Sequence, residues 1–212
     1  MSIDDRVLEH VNGFNGYRVV PSNIKSIVEV GAGPFTQIQY LLSPYRSVQQ
    51  ITLIEPNALN YMKLNNCAYR GGHLRGHPVK IIAKSIEIII QQRRQDRIQS
   101  KPLQYYSVVM SMNVVEHVSD ALEYFRALYD LLDDDGILIF HERWYDHPQH
   151  ADCVLDNAEM LHPIRITKWI IDTFLDQFKT LYININKTTR QKHAGCLEHG
   201  VYFIGRKKSI CK

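Results

Sequence analysis

The stretch Ser26-Ile-Val-Glu-Val-Gly-Ala-Gly-Pro34 decides the fold. A short β-branched run halted by glycine reads as a buried strand that ends in a tight turn. Gly31 and Gly33 let the backbone approach a ligand and permit positive φ. Downstream, Ile51 to Glu55 reads as a second strand, Val79 to Ala83 as a third, Tyr105 to Met112 as a fourth and Ile137 to Phe140 as a fifth. Helical patterns are expected between them, over Pro34–Leu42, past Pro56 through Leu64, from a Ser85 cap into Gln91–Arg97, and over Asp120–Leu132. Asp133-Asp134-Asp135-Gly136 makes the turn into the fifth strand. Strands alternating with helices imply βαβ units, and hence a parallel sheet covered on both faces. The tail breaks the rhythm. After a helix from about Thr167 to Phe178 come two strand-like segments, Thr180–Asn184 and Val201–Gly205, joined by a polar link that allows an antiparallel pair. Residues 1–20 read as a helix with Val7 and Val11 on one face, laid against the sheet or over its ligand edge.

Composition narrows the class. The chain has 212 residues, 45% hydrophobic and 22% charged, which suits one soluble globular domain over residues 1–212. A net charge of +3, from 25 basic and 22 acidic residues, is too small to argue for a polyanion partner. No apolar stretch is long enough to span a bilayer, and the acidic start Met-Ser-Ile-Asp-Asp-Arg is unlike a signal peptide. Cys67, Cys153, Cys196 and Cys211 form no Cys-x-x-Cys pair. A reduced, cytoplasmic protein is the expectation.

In an open parallel sheet, ligands sit beyond the carboxyl ends of the strands. Glu29, before the glycine turn, can accept from an ammonium group. Glu55 ends the second strand, 24 residues after Gly31, where a carboxylate can take both hydroxyls of a ribose. A nucleoside with an amino-bearing tail satisfies these features together. A dinucleotide prefers a third glycine for its pyrophosphate, and Thr36 stands there instead.

The segments EVGAGP at Glu29–Pro34, LIEP at Leu53–Pro56 and VVMSMNVVEHV at Val108–Val118 resemble the class I S-adenosylmethionine-dependent methyltransferases, nearest to the small-molecule branch. The resemblance covers about residues 22–207, and it implies a Rossmann-like, doubly wound α/β sheet of seven strands, ordered 3-2-1-4-5-7-6 with the seventh antiparallel. It also implies that Glu29, Gly31, Ala32, Gly33 and Pro34 cradle the methionine part of S-adenosyl-L-methionine. Glu55 would bind its ribose, and Pro56 and Asn57 would edge the adenine, with Ser85 and Ile86 closing over it. Met112 and Asn113 would line the cofactor near the sulfonium. The chain departs from the family at Tyr106-Ser107, where an Asp often precedes strand four, and at Phe35, which replaces a third glycine.

Methyl transfer needs an aligned nucleophile and, where that nucleophile carries a proton, a base matched to working pH. His117 after strand four, and His141 and Glu142 at the end of strand five, are the candidates. His141 and Glu142 alternate along a strand, so only one faces the pocket directly, and the choice falls on Glu142. A His117 that merely caps and packs is an equal reading. Arg143, Trp144 and Tyr145 could shape the cavity, and Arg165 could meet an anionic acceptor. His147-x-x-His150-x-x-Cys153 and His193-x-x-Cys196-x-x-His199 have metal-like spacings, but spacing alone assigns no metal. The function expected is methyl transfer to an oxygen or nitrogen of a small molecule, without nucleic-acid or membrane partners. The alternative is a non-catalytic, cofactor-binding or partner-regulating relative. A nicotinamide oxidoreductase is disfavoured by the missing glycine and by the antiparallel tail.

Overall fold

The computed structural model describes residues 3–42, 46–145, 166–193 and 196–209. The strands are β1 (Asn23–Val30), β2 (Ser47–Ile54), β3 (His73–Leu74), β4 (His77–Ile82), β5 (Tyr106–Met112), β6 (Leu132–Tyr145), β7 (Phe178–His193) and β8 (Cys196–Lys207). The helices are α1 (Ile3–Gly13), α2 (Ala58–Tyr61), α3 (Ile86–Ile98), α4 (Ala121–Leu131) and α5 (Lys168–Leu175). One sheet runs β3-β4-β2-β1-β5-β6-β8-β7. From β4 to β6 the pairing is parallel, and β8 is antiparallel to both β6 and β7. Leaving β3 aside, this is the expected order 3-2-1-4-5-7-6. The count of seven is corrected to eight, because Arg75 and Gly76 take positive φ and fold a two-residue edge strand back onto β4.

Strand alternation sorts the core into two layers. Val28, Val109, Leu138, Phe140 and Phe203 face one side, against Tyr124, Phe125 and Leu128 of α4 and Phe174 of α5. Ile27, Val108, Met110, Ile139 and Ile204 face the other, against Phe14, Tyr17, Ile38 and Tyr69. On the first side the helices are regular. α4 opens with Asp120, whose carboxylate accepts from the Glu123 amide at 2.9 Å.

On the second side the expected helices shrink. Over Pro34–Leu42 only the single turn Gln37–Tyr40 forms, and α2 stops at Tyr61. In place of one helix over residues 1–20, α1 runs over Ile3–Gly13 and is followed by a break at Gly16. The tail also differs, since the expected polar link after Asn184 continues as paired backbone, with Asn186 opposite Gly200 and Lys187 opposite His199. There a polar composition that reads as a loop lies on backbone paired as strands. α1 is fastened to that ribbon. Tyr182 Oη donates to the Gly13 carbonyl at 2.7 Å, and Asn184 Nδ2 does so at 3.3 Å.

Candidate active site

The carboxyl ends of β1, β2, β4, β5 and β6 lie side by side, stitched by bonds that continue the ladders. Gly31 N donates to the Ile54 carbonyl at 2.8 Å, Glu55 N to the Ile82 carbonyl at 3.1 Å, and Asn113 N to the His141 carbonyl at 3.0 Å. This brings the glycine turn, Glu55, Asn113 and His141 to one edge of the sheet.

The turn is shaped by two buried carboxylates. Glu29 is 2% exposed, and its oxygens accept from the Thr36 hydroxyl, from Gln37 N at 3.0 Å and from Ile38 N at 3.4 Å. Burial outweighs these donors and pushes its pKa up to about 7. Glu29 therefore holds the turn that follows the glycines. Glu55 is 6% exposed; one oxygen accepts from Gly33 N at 3.0 Å and the other from Asn57 N at 2.9 Å. A carboxylate oxygen has two lone pairs, so each Glu55 oxygen retains one for a further donor. Pro56 and Asn57 are exposed beside it, while Ala32 is buried and Pro34 half-buried.

Gly31 and Gly33 both take positive φ, +70° and +53°. A side chain at Gly31 would run into Val114, whereas at Gly33 it would meet nothing within 4 Å. The turn is thus packed from below and open above Gly33. Ser85 is half-buried at the head of α3, with Ile86 buried behind it.

At the end of β5, Met112 is buried and Asn113 takes φ +53°, a conformation that asparagine tolerates better than most residues. Asn113 Oδ1 lies 2.8 Å from His141 Nδ1. An amide oxygen only accepts, which assigns the imidazole proton to Nδ1 and leaves a lone pair on Nε2. His141 is 4% exposed and ringed by aromatics, with Tyr202 at 4.1 Å and His10 of α1 edge-on at 4.8 Å between centroids. Burial, then His10 and Arg143, hold its pKa well below the usual histidine range.

Glu142, expected to face the pocket, points to the opposite side of β6. It is 2% exposed, accepting from Val114 N at 3.1 Å, Val115 N at 2.9 Å and Arg143 N at 3.1 Å. Its pKa, raised to about 7 by burial, belongs to a group that secures the turn after β5. The member of the pair that reaches Asn113 is His141. His117 stands in that turn, half exposed, with Nε2 3.8 Å from Glu116 Oε1. Trp144 is buried and stacks on His199. His147, His150, Cys153 and Arg165, like the side chains of Tyr145, His193 and Cys196, lie outside the described residues. Among the described residues no His, Cys, Asp or Glu group of three or more could hold a metal ion, and no helix is long and apolar enough to cross a membrane.

Sequence reasoning missed Thr36, Val114, His10 and Tyr202. Thr36 is suggested by its place in the turn, but nothing local marks the other three, which arrive through tertiary packing.

Residues 18–179 match the family described as a methyltransferase domain. No curated protein sequence matches significantly. Among solved structures, the N-methyltransferase NodS from Bradyrhizobium japonicum WM9 superposes with a TM-score of 0.60 at 12% identity, over 98% of this chain and 100% of that one. Coclaurine N-methyltransferase bound to N-methylheliamine and SAH gives 0.64 at 9% identity, over 98% and 74%. The plantazolicin methyltransferase BpumL in complex with SAH gives 0.53 at 10% identity, over 96% and 84%. At such identities the likeness is one of fold, and it agrees with the sheet order derived above. Family and fold together make this chain a member of the class I S-adenosylmethionine-dependent methyltransferases.

Proposed function

We propose that this enzyme transfers a methyl group from S-adenosylmethionine to a nitrogen or oxygen of a small-molecule acceptor. One observation carries the reading: a buried carboxylate with spare lone pairs, Glu55, is bonded to a positive-φ glycine above which the space is open. That arrangement fits an adenosyl ligand, whose ribose hydroxyls are donors and whose backbone contacts need a bare turn. The small-molecule acceptor is supported by the similar fold of coclaurine N-methyltransferase, solved with N-methylheliamine, and nitrogen as the receiving atom also by that of the N-methyltransferase NodS.

When bound, the cofactor supplies an electrophilic methyl carbon on sulfur. The chain's own groups then have separable tasks. Glu55 would hold the sugar, with Pro56 and Asn57 edging the adenine and Ser85 and Ile86 closing over it. Gly31, Ala32, Gly33 and Pro34 give the tail its backbone contacts, and Glu29 fixes that turn through Thr36. Met112 and Asn113 would line the cofactor near its sulfonium. Asn113 also fixes the tautomer of His141, whose Nε2 lone pair takes the acceptor's proton. The depressed basicity of His141 keeps that lone pair available at neutral pH. Glu142 supports the site by holding the amides of Val114 and Val115, and His117 lies on the exposed side of the same turn.

Calorimetric titration with S-adenosylhomocysteine tests the cofactor site, and a labelled methyl donor incubated with a metabolite extract tests the acceptor. Glu55→Ala should weaken binding by about 2–4 kcal/mol, through loss of charge-assisted hydrogen bonds. No binding by the native chain, or label that never enters a small molecule, would defeat the reading.

A further inference from the structure

A helix of 11 residues is too short to stand alone in water, so α1 persists through what its far end touches. Leu8, Glu9 and Asn12 are exposed there, while His10 and Val11 are half-buried. The Gly13 carbonyl is held by Tyr182 and Asn184 of β7. Gly13 itself lies flat on the Tyr202 ring, because a side chain at that position would run into it. Phe14 meets the same ring edge-on, with centroids 5.0 Å apart. This anchorage delivers the ring of His10 to that of His141, inclined at 68° with centroids 4.8 Å apart.

His141 needs support at that place. The outer torsion of a histidine side chain is broad and soft, and half a turn about it exchanges each ring nitrogen for a carbon. Asn113 ties Nδ1 by a single hydrogen bond between neutral groups. Nε2 is turned toward β8, where a side chain at Gly200 would begin 3.5 Å from it. Tyr202 leans on the imidazole with centroids 4.1 Å apart, and His10 supplies the other ring in contact with it. We propose that His10 is a positioning residue for methyl transfer: its ring walls in the His141 imidazole, so that Nδ1 stays on Asn113 and Nε2 keeps its aim. The inference rests on the assignment of His141 as proton acceptor made above. It makes α1 a working part of the site, brought there by packing and not by any motif.

Long-range proton–nitrogen spectra of the full chain, with histidine nitrogens labelled, read the tautomer of each ring. The His141 signal is identified by its absence from His141→Gln. In the native chain it should show the proton on Nδ1 alone. His10→Ala removes the wall, so the form protonated on Nε2 should appear beside it. Transfer of labelled methyl from S-adenosylmethionine into a metabolite extract should then fall by about ten-fold or more, the scale on which a misplaced group costs rate. Affinity for S-adenosylhomocysteine should stay within roughly two-fold, because the substitution is remote from the cofactor contacts. His10→Phe restores a ring, and it should return the single tautomer and most of the transfer. A native tautomer and native transfer in His10→Ala would overturn the proposal. So would His10→Phe behaving like His10→Ala, or a loss of S-adenosylhomocysteine affinity as large as the loss of transfer, which would mark general damage to the fold. Two further results would take the proposal down with the readings beneath it: no binding of S-adenosylhomocysteine by the native chain removes the cofactor assignment, and native transfer by His141→Gln removes the proton acceptor.

Discussion

Gly31 and Gly33 share one turn but are glycine for different reasons. Both have positive φ, which costs an L side chain about 1–2 kcal/mol, but only Gly31 is pressed by Val114. Gly33→Ala should therefore lose about 1 kcal/mol in urea unfolding and Gly31→Ala roughly 2–4 kcal/mol. Adding Val114→Ala to the second variant should recover the packing share and leave the backbone share. Equal losses for the two alanines would refute this account. Glu142 makes a second prediction at this scale. Its ordinary carboxyl value of 4.5 rises to about 7 on folding. Between those values the folded chain keeps a proton that the unfolded chain has released, so the contribution is full below 4.5 and is lost as pH rises through 7. Urea midpoints of the native chain should fall across that window, by up to about 1.4 kcal/mol per pH unit for this one group. Glu142→Gln, whose amide oxygen can still accept from Val114 and Val115, should flatten the fall by that amount. The position of Glu55 at a strand end was legible in the sequence, and so was the alternation that separates His141 from Glu142. Which of those two reaches Asn113 was not legible. The answer depends on where the amides of Val114 and Val115 lie, and backbone amides leave no mark on composition.

Among the elements, the strands were readable because β-branched runs bounded by glycine, proline or acidic turns have few alternatives. The segment after Gly33 was not. Phe35, Ile38 and Leu41 recur at helical spacing, but the Glu29 carboxylate captures the amides of Gln37 and Ile38 and leaves only a single turn. A long-range acceptor thus overrides a local periodicity. α1 is held in a similarly non-local way, by Tyr182 and Asn184 of β7 at the Gly13 carbonyl. Tyr182→Phe removes the shorter of these bonds and should lower stability by about 1 kcal/mol. It should also speed amide hydrogen exchange at the C-terminal end of α1 more than in β5. Uniform acceleration across both elements would show that α1 has no separate anchorage.

In the molecule as a whole, β8 joins the two layers, with Phe203 facing α5 and Ile204 facing the opposite side. Phe203 is 1% exposed, and Phe203→Ala should cost about 3–5 kcal/mol. If the chain is one cooperative unit, a fluorescence probe on each face should report the same shifted midpoint. Separate midpoints would divide the chain into independent units. The strand order itself was legible from the βαβ rhythm and the two closing strands, whereas the edge strand β3 was too short to leave a pattern. The place of β8 has a consequence for biogenesis. Among the described strands it is the last to be synthesised, yet it inserts between two that precede it. While a nascent chain has reached β7 but not Val201–Arg206, β6 offers an unfilled row of amides and carbonyls. Until that strand emerges from the ribosome the half-made sheet is adhesive, so shielding by a chaperone matters most between the synthesis of β7 and that of β8.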